Sequence, residues 1–363
     1  MLSEIALKNA DIDTIRQYTI MGTTVPGLEK IVASQIKELF PTSTIVDIQR
    51  GKVFFEVKAS IMQLTSIKCV DNLYYFIKSM PSGTTKDDIR LLVREILSTP
   101  FSSFIPFLCS SKRPILIHVT ASRSGKHSFS RTYVANMALQ ALLSCECFSL
   151  GDVEQHDLHF RLDVIERVTY LSIKITSAAY RYRGNNREFM PGAIRPSIAN
   201  SLIWLSRPNK NDVVLDPFCG SGTIVSEREY YPYRKILAFD IEQKAVRATQ
   251  SNVSKSVIVR QGDACNLPIS NHCIDSLVTN APWDVQIHSD DIYKLYFDFL
   301  NEAFRVLKLD GRCIVLTDKT EVLELVACEL RLKVKKIVQL SLHGLHPCIF
   351  ELCRSEHCVE EKH

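Results

Sequence analysis

No apolar stretch of this 363-residue chain is both free of charge and long enough to cross a bilayer, so no membrane-spanning helix is expected. The N-terminus, Met1-Leu2-Ser3-Glu4, has no apolar run ahead of a cleavage site, which argues against a secretory signal. The 12 cysteines include no Cys-x-x-Cys, and reduced thiols in the cytosol or nucleus are the expected state. The nearest approach to a metal cluster, His343-x-x-His346-x-Cys348, has neither a carboxylate nor a second cysteine to complete a tetrahedral set, so no metal is expected. Internal repeats and low-complexity tracts are missing too.

The chain is long enough for two or three domains with sizeable cores. Its net charge is only +4, but the excess is unevenly shared: residues 1–190 hold 23 Lys+Arg against 18 Asp+Glu, and the remainder holds 21 against 22. The basic half is the one suited to gripping a polyanion. Helical spacing runs from Leu28 to Leu39 and stops at Pro41, and Val53 to Val57 reads as a short strand. Met80 to Thr85 marks a loop, Ile115 to Val119 a strand and Tyr133 to Leu143 a helix. Phe160 to Ile165 and Thr169 to Ile175 suit a hairpin turning at Glu166-Arg167. From Ser197 onward strand and helix signals alternate, as in a parallel sheet. Its late elements are Cys313 to Thr317 and a pair, Lys333 to Leu340 with Cys348 to Cys353, expected as an antiparallel hairpin at one edge.

Two segments of this second half carry chemistry. Val213-Val214-Leu215-Asp216-Pro217-Phe218-Cys219-Gly220-Ser221-Gly222-Thr223 reads as a buried strand ending in an acid and a glycine-rich turn. Alone it is equally a tight strand-to-helix turn, and it lacks the third glycine of the dinucleotide fingerprint, which argues against a pyrophosphate. Two further acids end apolar runs. Asp240 falls where the second strand of a βαβ unit starting at the glycine turn would end, placed for a ribose diol, and Asp263 is placed for an adenine amino group. Taken singly, each acid also suits a helix cap. Asn280-Ala281-Pro282-Trp283 then closes a fourth apolar run. An exocyclic base amine is a poor nucleophile because its lone pair is delocalised into the ring. Asn280 and a backbone carbonyl near Ala281 or Pro282 offer preorganised acceptors for its N–H groups as positive charge grows on nitrogen. Pro282 stiffens the loop, and Trp283 offers a face on which a base stacks for about 1–3 kcal/mol. The bland alternative is a turn with a core tryptophan.

With these residues in place, the segment from Val213 to Asn280 resembles a class I S-adenosylmethionine-dependent methyltransferase, and Asn-Ala-Pro-Trp resembles the Asp/Asn-x-Pro-aromatic motif of amino-group methylating enzymes. Gly22 to Glu29, Arg50 to Phe55, Val70 to Leu73, His118 to His127 and Gly192 to Ala199 are similar to THUMP-domain-containing RNA methyltransferases. The resemblance implies an α/β fold: a Rossmann-like class I methyltransferase sheet at the C-terminus, preceded by an α+β ferredoxin-like/THUMP region. The implied divisions are 1–80 ferredoxin-like, 81–178 THUMP, 179–196 linker, 197–356 methyltransferase and 357–363 tail. It implies S-adenosylmethionine as cofactor, held by Asp216, Gly220, Gly222, Thr223, Asp240, Asp263 and Asn280. Asn280, Pro282 and Trp283 would act on the substrate. The implied activity is methylation of guanosine N2 in tRNA or a small nuclear RNA, with a small zinc-binding activator subunit as partner. Eukaryotic members usually carry Asp and Gly where this chain has Asn280 and Asp284.

Candidate RNA contacts form two groups. Lys112, Arg113, Arg123, Lys126, His127 and Arg131 flank one strand and its loop; Arg181, Arg183, Arg187 and Arg195 are interleaved with Tyr180, Tyr182 and Phe189. Pro196 suits a first helical position, with Arg195 before it. Two other classes remain: an adenine-N6 or glutamine-amide methyltransferase, and a non-catalytic RNA-binding scaffold.

Overall fold

The computed structural model describes residues 5–7, 12–101, 114–184, 187–283, 289–342 and 344–354. The chain divides into two compact units: residues 1–24 with 36–185, and residues 25–35 with 186–363.

The first unit is built on one eight-stranded sheet. Its strands are β1 (Arg16–Thr23), β2 (Thr44–Gln49), β3 (Lys52–Ala59), β4 (Asn72–Pro81), β5 (Ile115–Ser124), β6 (Phe148–Leu150), β7 (Leu158–Ile165) and β8 (Val168–Lys174). Their order is β2-β3-β1-β4-β8-β7-β5-β6. Helix α1 (Glu29–Leu39), whose residues are divided between the units, starts on an acidic residue, ends with Lys37 in its last turn and stops before Pro41, as dipole and proline rules require. Short α2 (Ile61–Leu64) opens with a capping box between Ser60 and Gln63, and α3 (Ile89–Leu97) buries Ile89, Leu92 and Ile96. Ser130 accepts the Tyr133 N–H to cap α4 (Arg131–Leu143), which buries Val134, Ala138, Ala141 and Leu142. The hairpin expected at Glu166-Arg167 is present, with Glu166 left-handed (φ 52°) between antiparallel β7 and β8. Residue 80, where the sequence suggests a division, lies inside β4. That strand pairs antiparallel with β8, so the two N-terminal regions share a continuous ladder. Helix α5 (Ala178–Tyr182) ends the unit.

The second unit has strands β9 (Val213–Asp216), β10 (Lys235–Asp240), β11 (Ile258–Gln261), β12 (Ile274–Asn280), β13 (Leu307–Thr317), β14 (Leu332–Gln339) and β15 (Cys348–Arg354), in the order β11-β10-β9-β12-β13-β15-β14. The first five run parallel, and β15 is antiparallel to both of its neighbours, which puts the expected hairpin at the edge. Its helices are α6 (Pro196–Leu205), α7 (Thr223–Arg228), α8 (Gln243–Asn252), α9 (Ser289–Val306) and α10 (Thr320–Glu329). Strands β9 and β10 are largely apolar because both faces are covered. Leu215, Leu237, Phe239 and Leu277 pack with Tyr296, Phe299, Leu300 and Ala303 of α9. The alternate residues Val214, Ile236 and Ala238 pack with Val225 and Val257 on the other face.

Residues 25–35 complete this second unit although the chain on either side belongs to the first. The Pro26 carbonyl accepts the Ser341 N–H at 3.0 Å. Gln35 Nε2 donates to Asn200 Oδ1 (3.1 Å) and Tyr231 Oη (3.2 Å), while Asn200 Nδ2 donates to Glu227 (2.9 Å). Gly27 sits at φ 110°, and a Cβ there would lie 2.4 Å from the Gln339 carbonyl oxygen. Only glycine meets both conditions. Gly27→Ala is therefore expected to cost the C-terminal unit about 1–3 kcal/mol. Hydrogen exchange at amides of β14 and α6 reads this loss, and protection unchanged there would show that residues 25–35 are not part of that unit.

Candidate active site

Strands β9 and β12 are where the sheet reverses direction of growth, the place in open α/β sheets where ligands enter outside the carboxyl ends of the strands. Asp216 ends β9, Asp240 ends β10, Asp263 follows β11 and Asn280 ends β12, so all four lie along one edge of four neighbouring parallel strands.

The glycine turn depends on its glycines. Gly220 (φ 54°) and Gly222 (φ 77°) are both left-handed, and a Cβ on Gly222 would meet Thr249 Cγ2 at 2.9 Å. Gly222 caps the short helix α7, whose first residue is the buried Thr223. Asp240 fixes the turn: its Oδ2 accepts the Gly220 N–H at 2.9 Å and its Oδ1 accepts the Glu242 N–H at 2.9 Å. Each oxygen keeps capacity for a further donor such as a ribose hydroxyl. Asp263 is exposed, and its Oδ1 accepts the Cys265 N–H at 2.9 Å.

Asp216 is 2% exposed. Its Oδ1 accepts Thr279 Oγ1–H (2.8 Å) and the Phe218 N–H (3.3 Å), while Oδ2 and the neighbouring Ser221 Oγ are buried without a hydrogen-bond partner. Burial pushes the Asp216 carboxyl up to about 7, assisted by the nearby Asp240 charge and opposed by the Thr279 and Phe218 hydrogen bonds. An orphaned acceptor of that kind suits an ammonium group.

On β12 the loop backbone is tied and its side chains are not. The Ala281 N–H donates to the Leu316 carbonyl at 3.0 Å, and Tyr296 Oη–H donates to the Pro282 carbonyl at 3.0 Å. Asn280 Oδ1 and Trp283 Nε1 are buried and have no hydrogen-bond partner. Buried polar atoms without partners are rare in folded proteins, and these two belong to the residues the motif assigns to chemistry: an acceptor for an amine and a ring beside it. Asp284 lies outside the described residues.

Residues that sequence reasoning missed surround this edge. Thr249 Oγ1 donates to the Gly220 carbonyl (2.8 Å), and Asn252 Nδ2 donates to the Ser221 (2.8 Å) and Glu188 (2.7 Å) carbonyls. Their i,i+3 spacing on α8 is the one signal that marked a shared face. Arg187 donates to Ser226 Oγ and to the Gly222 carbonyl (3.4 Å), so the segment ahead of α6 packs on the glycine turn.

Of the expected RNA contacts, Lys112 and Arg113 lie outside the described residues. Arg123 is the penultimate residue of β5 and has its guanidinium on the His127 (2.9 Å) and Phe129 (2.5 Å) carbonyls, and exposed Lys126 and Arg131 follow in the next loop and at the start of α4. Arg181 is half-buried, 3.8 Å from Asp71, and Arg183 donates to the Tyr180 and Lys68 carbonyls (both 2.6 Å). Arg195 is the N-cap of α6, ahead of Pro196 at its first position.

A parallel sheet of this order, with a glycine turn, three acids and an Asn-x-Pro-aromatic loop on one edge, defines a class I methyltransferase domain. Residues 183–347 match the family model described as RMKL-like, methyltransferase domain, and this second half of the chain is similar to that family throughout. The chain is also similar to a Thermus thermophilus tRNA (guanine(6)-N2)-methyltransferase, 26% identical over 309 residues that cover 82% of this chain and 88% of the relative. The Mus musculus tRNA (guanine(6)-N(2))-methyltransferase THUMP3 is 26% identical over 297 residues, 74% of this chain and 58% of that protein. Among solved structures, TrmN from Thermus thermophilus shares the fold with a TM-score of 0.75 at 22% identity, covering 93% of this chain and 100% of that one. The second half of the chain thus matches a methyltransferase domain, and the chain as a whole is similar to proteins named tRNA (guanine-N2)-methyltransferases.

The titration of Asp216 has a defined sign. Between its ordinary value and about 7 the folded state holds a proton that the unfolded chain has released, so stability falls as pH rises across that window and is lowest above it. Asp216→Asn removes this dependence. Its melting temperature relative to the parent should climb between mildly acidic and mildly alkaline pH, and an offset constant with pH would contradict the burial of an ionisable carboxyl there.

Proposed function

We propose that this methyltransferase carries a methyl group from S-adenosylmethionine to the exocyclic N2 of a guanosine in tRNA, at the guanine(6) position named in its relatives. The observation that carries the reading is the unpartnered pair Asn280 Oδ1 and Trp283 Nε1 on a loop whose backbone is already tied. The guanine preference rests on the relatives' names, since the Asn-x-Pro-aromatic motif also serves adenine and glutamine amines.

The cofactor supplies an activated methyl on a sulfonium. Asp216 Oδ2 would receive its amino group, Gly220, Gly222 and Thr223 would border it, and Asp240 and Asp263 would hold the ribose and the base. Asn280 Oδ1 accepts one N2–H of guanine and a loop carbonyl the other, which turns the nitrogen lone pair toward the methyl carbon. These acceptors would stabilise the positive charge that nitrogen gains on taking up the methyl group, until its proton leaves to water. Trp283 stacks on the base. No general base is required, because the amine loses its proton after attack and is acidic by then.

Incubation with unmodified tRNA and labelled S-adenosylmethionine, with and without a zinc-binding activator subunit as proposed partner, tests the reading. Label in N2-methylguanosine is expected. Label in adenosine would overturn the base assignment, and cofactor binding with no transfer under either condition would leave a scaffold. Asn280→Ala should lower kcat about 100-fold or more with cofactor affinity within about threefold.

For RNA binding we propose the surface of Lys126 and Arg131, whose exposed charges are better placed than the carbonyl-bound Arg123. Charge reversal of both should weaken tRNA binding about tenfold at fixed low salt and flatten its salt dependence, leaving cofactor affinity intact. Unchanged tRNA affinity in that titration would exclude the patch.

A further inference from the structure

We propose that Tyr296 is a positioning residue for methyl transfer, acting through the Pro282 carbonyl with Thr317 behind it, a role that rests on the function proposed above.

Proline has no N–H, so at Pro282 the carbonyl is the residue's only backbone handle. The preceding tie, Ala281 N–H to Leu316 O, continues the β12–β13 ladder, and beyond it the loop leaves the sheet. The Tyr296 hydroxyl meets the Pro282 oxygen at 3.0 Å and Thr317 Oγ1 at 2.6 Å. A phenol has one proton. With that proton given to Pro282, Thr317 must donate to Tyr296, and Thr317 Oγ1 in turn accepts the Lys319 N–H at 2.9 Å. The result is a directional chain of hydrogen bonds: Lys319 amide, Thr317, Tyr296, Pro282.

The chain stands on rigid supports. Tyr296 and Thr317 are both 0% exposed, Tyr296 lies in α9 beside the core residues Phe299 and Leu300, and Thr317 ends β13. Burial raises the Tyr296 hydroxyl far above its ordinary value, so it remains a donor at every working pH. What this fixes is the peptide plane between Pro282 and Trp283. That plane sets where the Trp283 ring departs from the backbone and where the second lone pair of the Pro282 oxygen points, the two features of the loop that a flat amine substrate needs besides Asn280. A phenylalanine at position 296 would fill the same space and release the plane. Reaction rates are sensitive to such loosening, since misplacement by about 1 Å costs up to 100-fold.

The test uses the full chain carrying Tyr296→Phe, Thr317→Val or Thr317→Ser. Tyr296→Phe is expected to lower kcat about tenfold, equivalent to about 1.4 kcal/mol, with KM for tRNA and the Kd of S-adenosylhomocysteine within about twofold. Thr317→Val should move kcat in the same direction, and Thr317→Ser, which keeps the hydroxyl, should restore it. An unchanged kcat in folded Tyr296→Phe overturns the proposal. So does a joint fall of kcat, cofactor affinity and melting temperature, the mark of a purely structural residue. A readout independent of turnover is the emission anisotropy of Trp283 in a Trp204→Phe background, which should fall on Tyr296→Phe. If the parent methylates no tRNA while anisotropy still falls, the functional reading fails and the tether stands. If the parent is active and neither kcat nor anisotropy responds, the tether fails.

Discussion

One hydrogen bond, from Thr279 Oγ1 to Asp216 Oδ1 at 2.8 Å, joins the two halves of the candidate site. It crosses from β12 to β9 at the point where strand order reverses, so the loop on one side and the glycine turn on the other cannot drift apart without breaking it. The bond also opposes the burial that raises the Asp216 carboxyl. One oxygen is committed to holding the strands in register, and burial leaves the other as an acceptor suited to a cation. A buried carboxyl so placed costs stability at neutral pH, a cost consistent with selection for binding rather than for packing.

Around that bond, backbone and side chains have separate roles. The glycine turn has its polypeptide held by Asp240, Thr249 and Asn252, and the Asn280 loop by Leu316 and Tyr296. Both loops are thus tied in main chain, while Ser221 Oγ, Asn280 Oδ1 and Trp283 Nε1 remain without partners. Preorganisation of this type places acceptors before charge develops and requires no reorganisation when it does.

Much of the sheet was legible in sequence because parallel strands covered on both faces are short apolar runs, and each here ends in a polar residue at the same edge. Val213 to Asp216 and Ile236 to Asp240 are such runs. The edge hairpin of β14 and β15 was equally readable from its two apolar segments around Leu340 to Pro347. Less legible was the attachment of residues 25–35 to the C-terminal unit. Gly27 carries no periodic signal, and what demands it is a carbonyl near the other end of the chain, that of Gln339. For the same reason Thr279, Thr249 and Tyr296 escaped notice: each acts through a partner in another element, and a lone hydroxyl in an apolar run gives no hint of its partner. The arginines show a different gap between sequence and structure. Arg123 and Arg183 look in sequence like free cations for phosphate, whereas their guanidinium groups cap nearby backbone carbonyls.

That the glycine turn and the Asn280 loop make one site for a donor and a guanine is tested most directly by a crystal structure of the chain with S-adenosylhomocysteine and guanosine. The amino group of the cofactor product is expected on Asp216 Oδ2, and guanine N2 at about 3 Å from Asn280 Oδ1. Ligands bound at the opposite edge of the sheet, or guanine held with N2 turned away from Asn280, would contradict it.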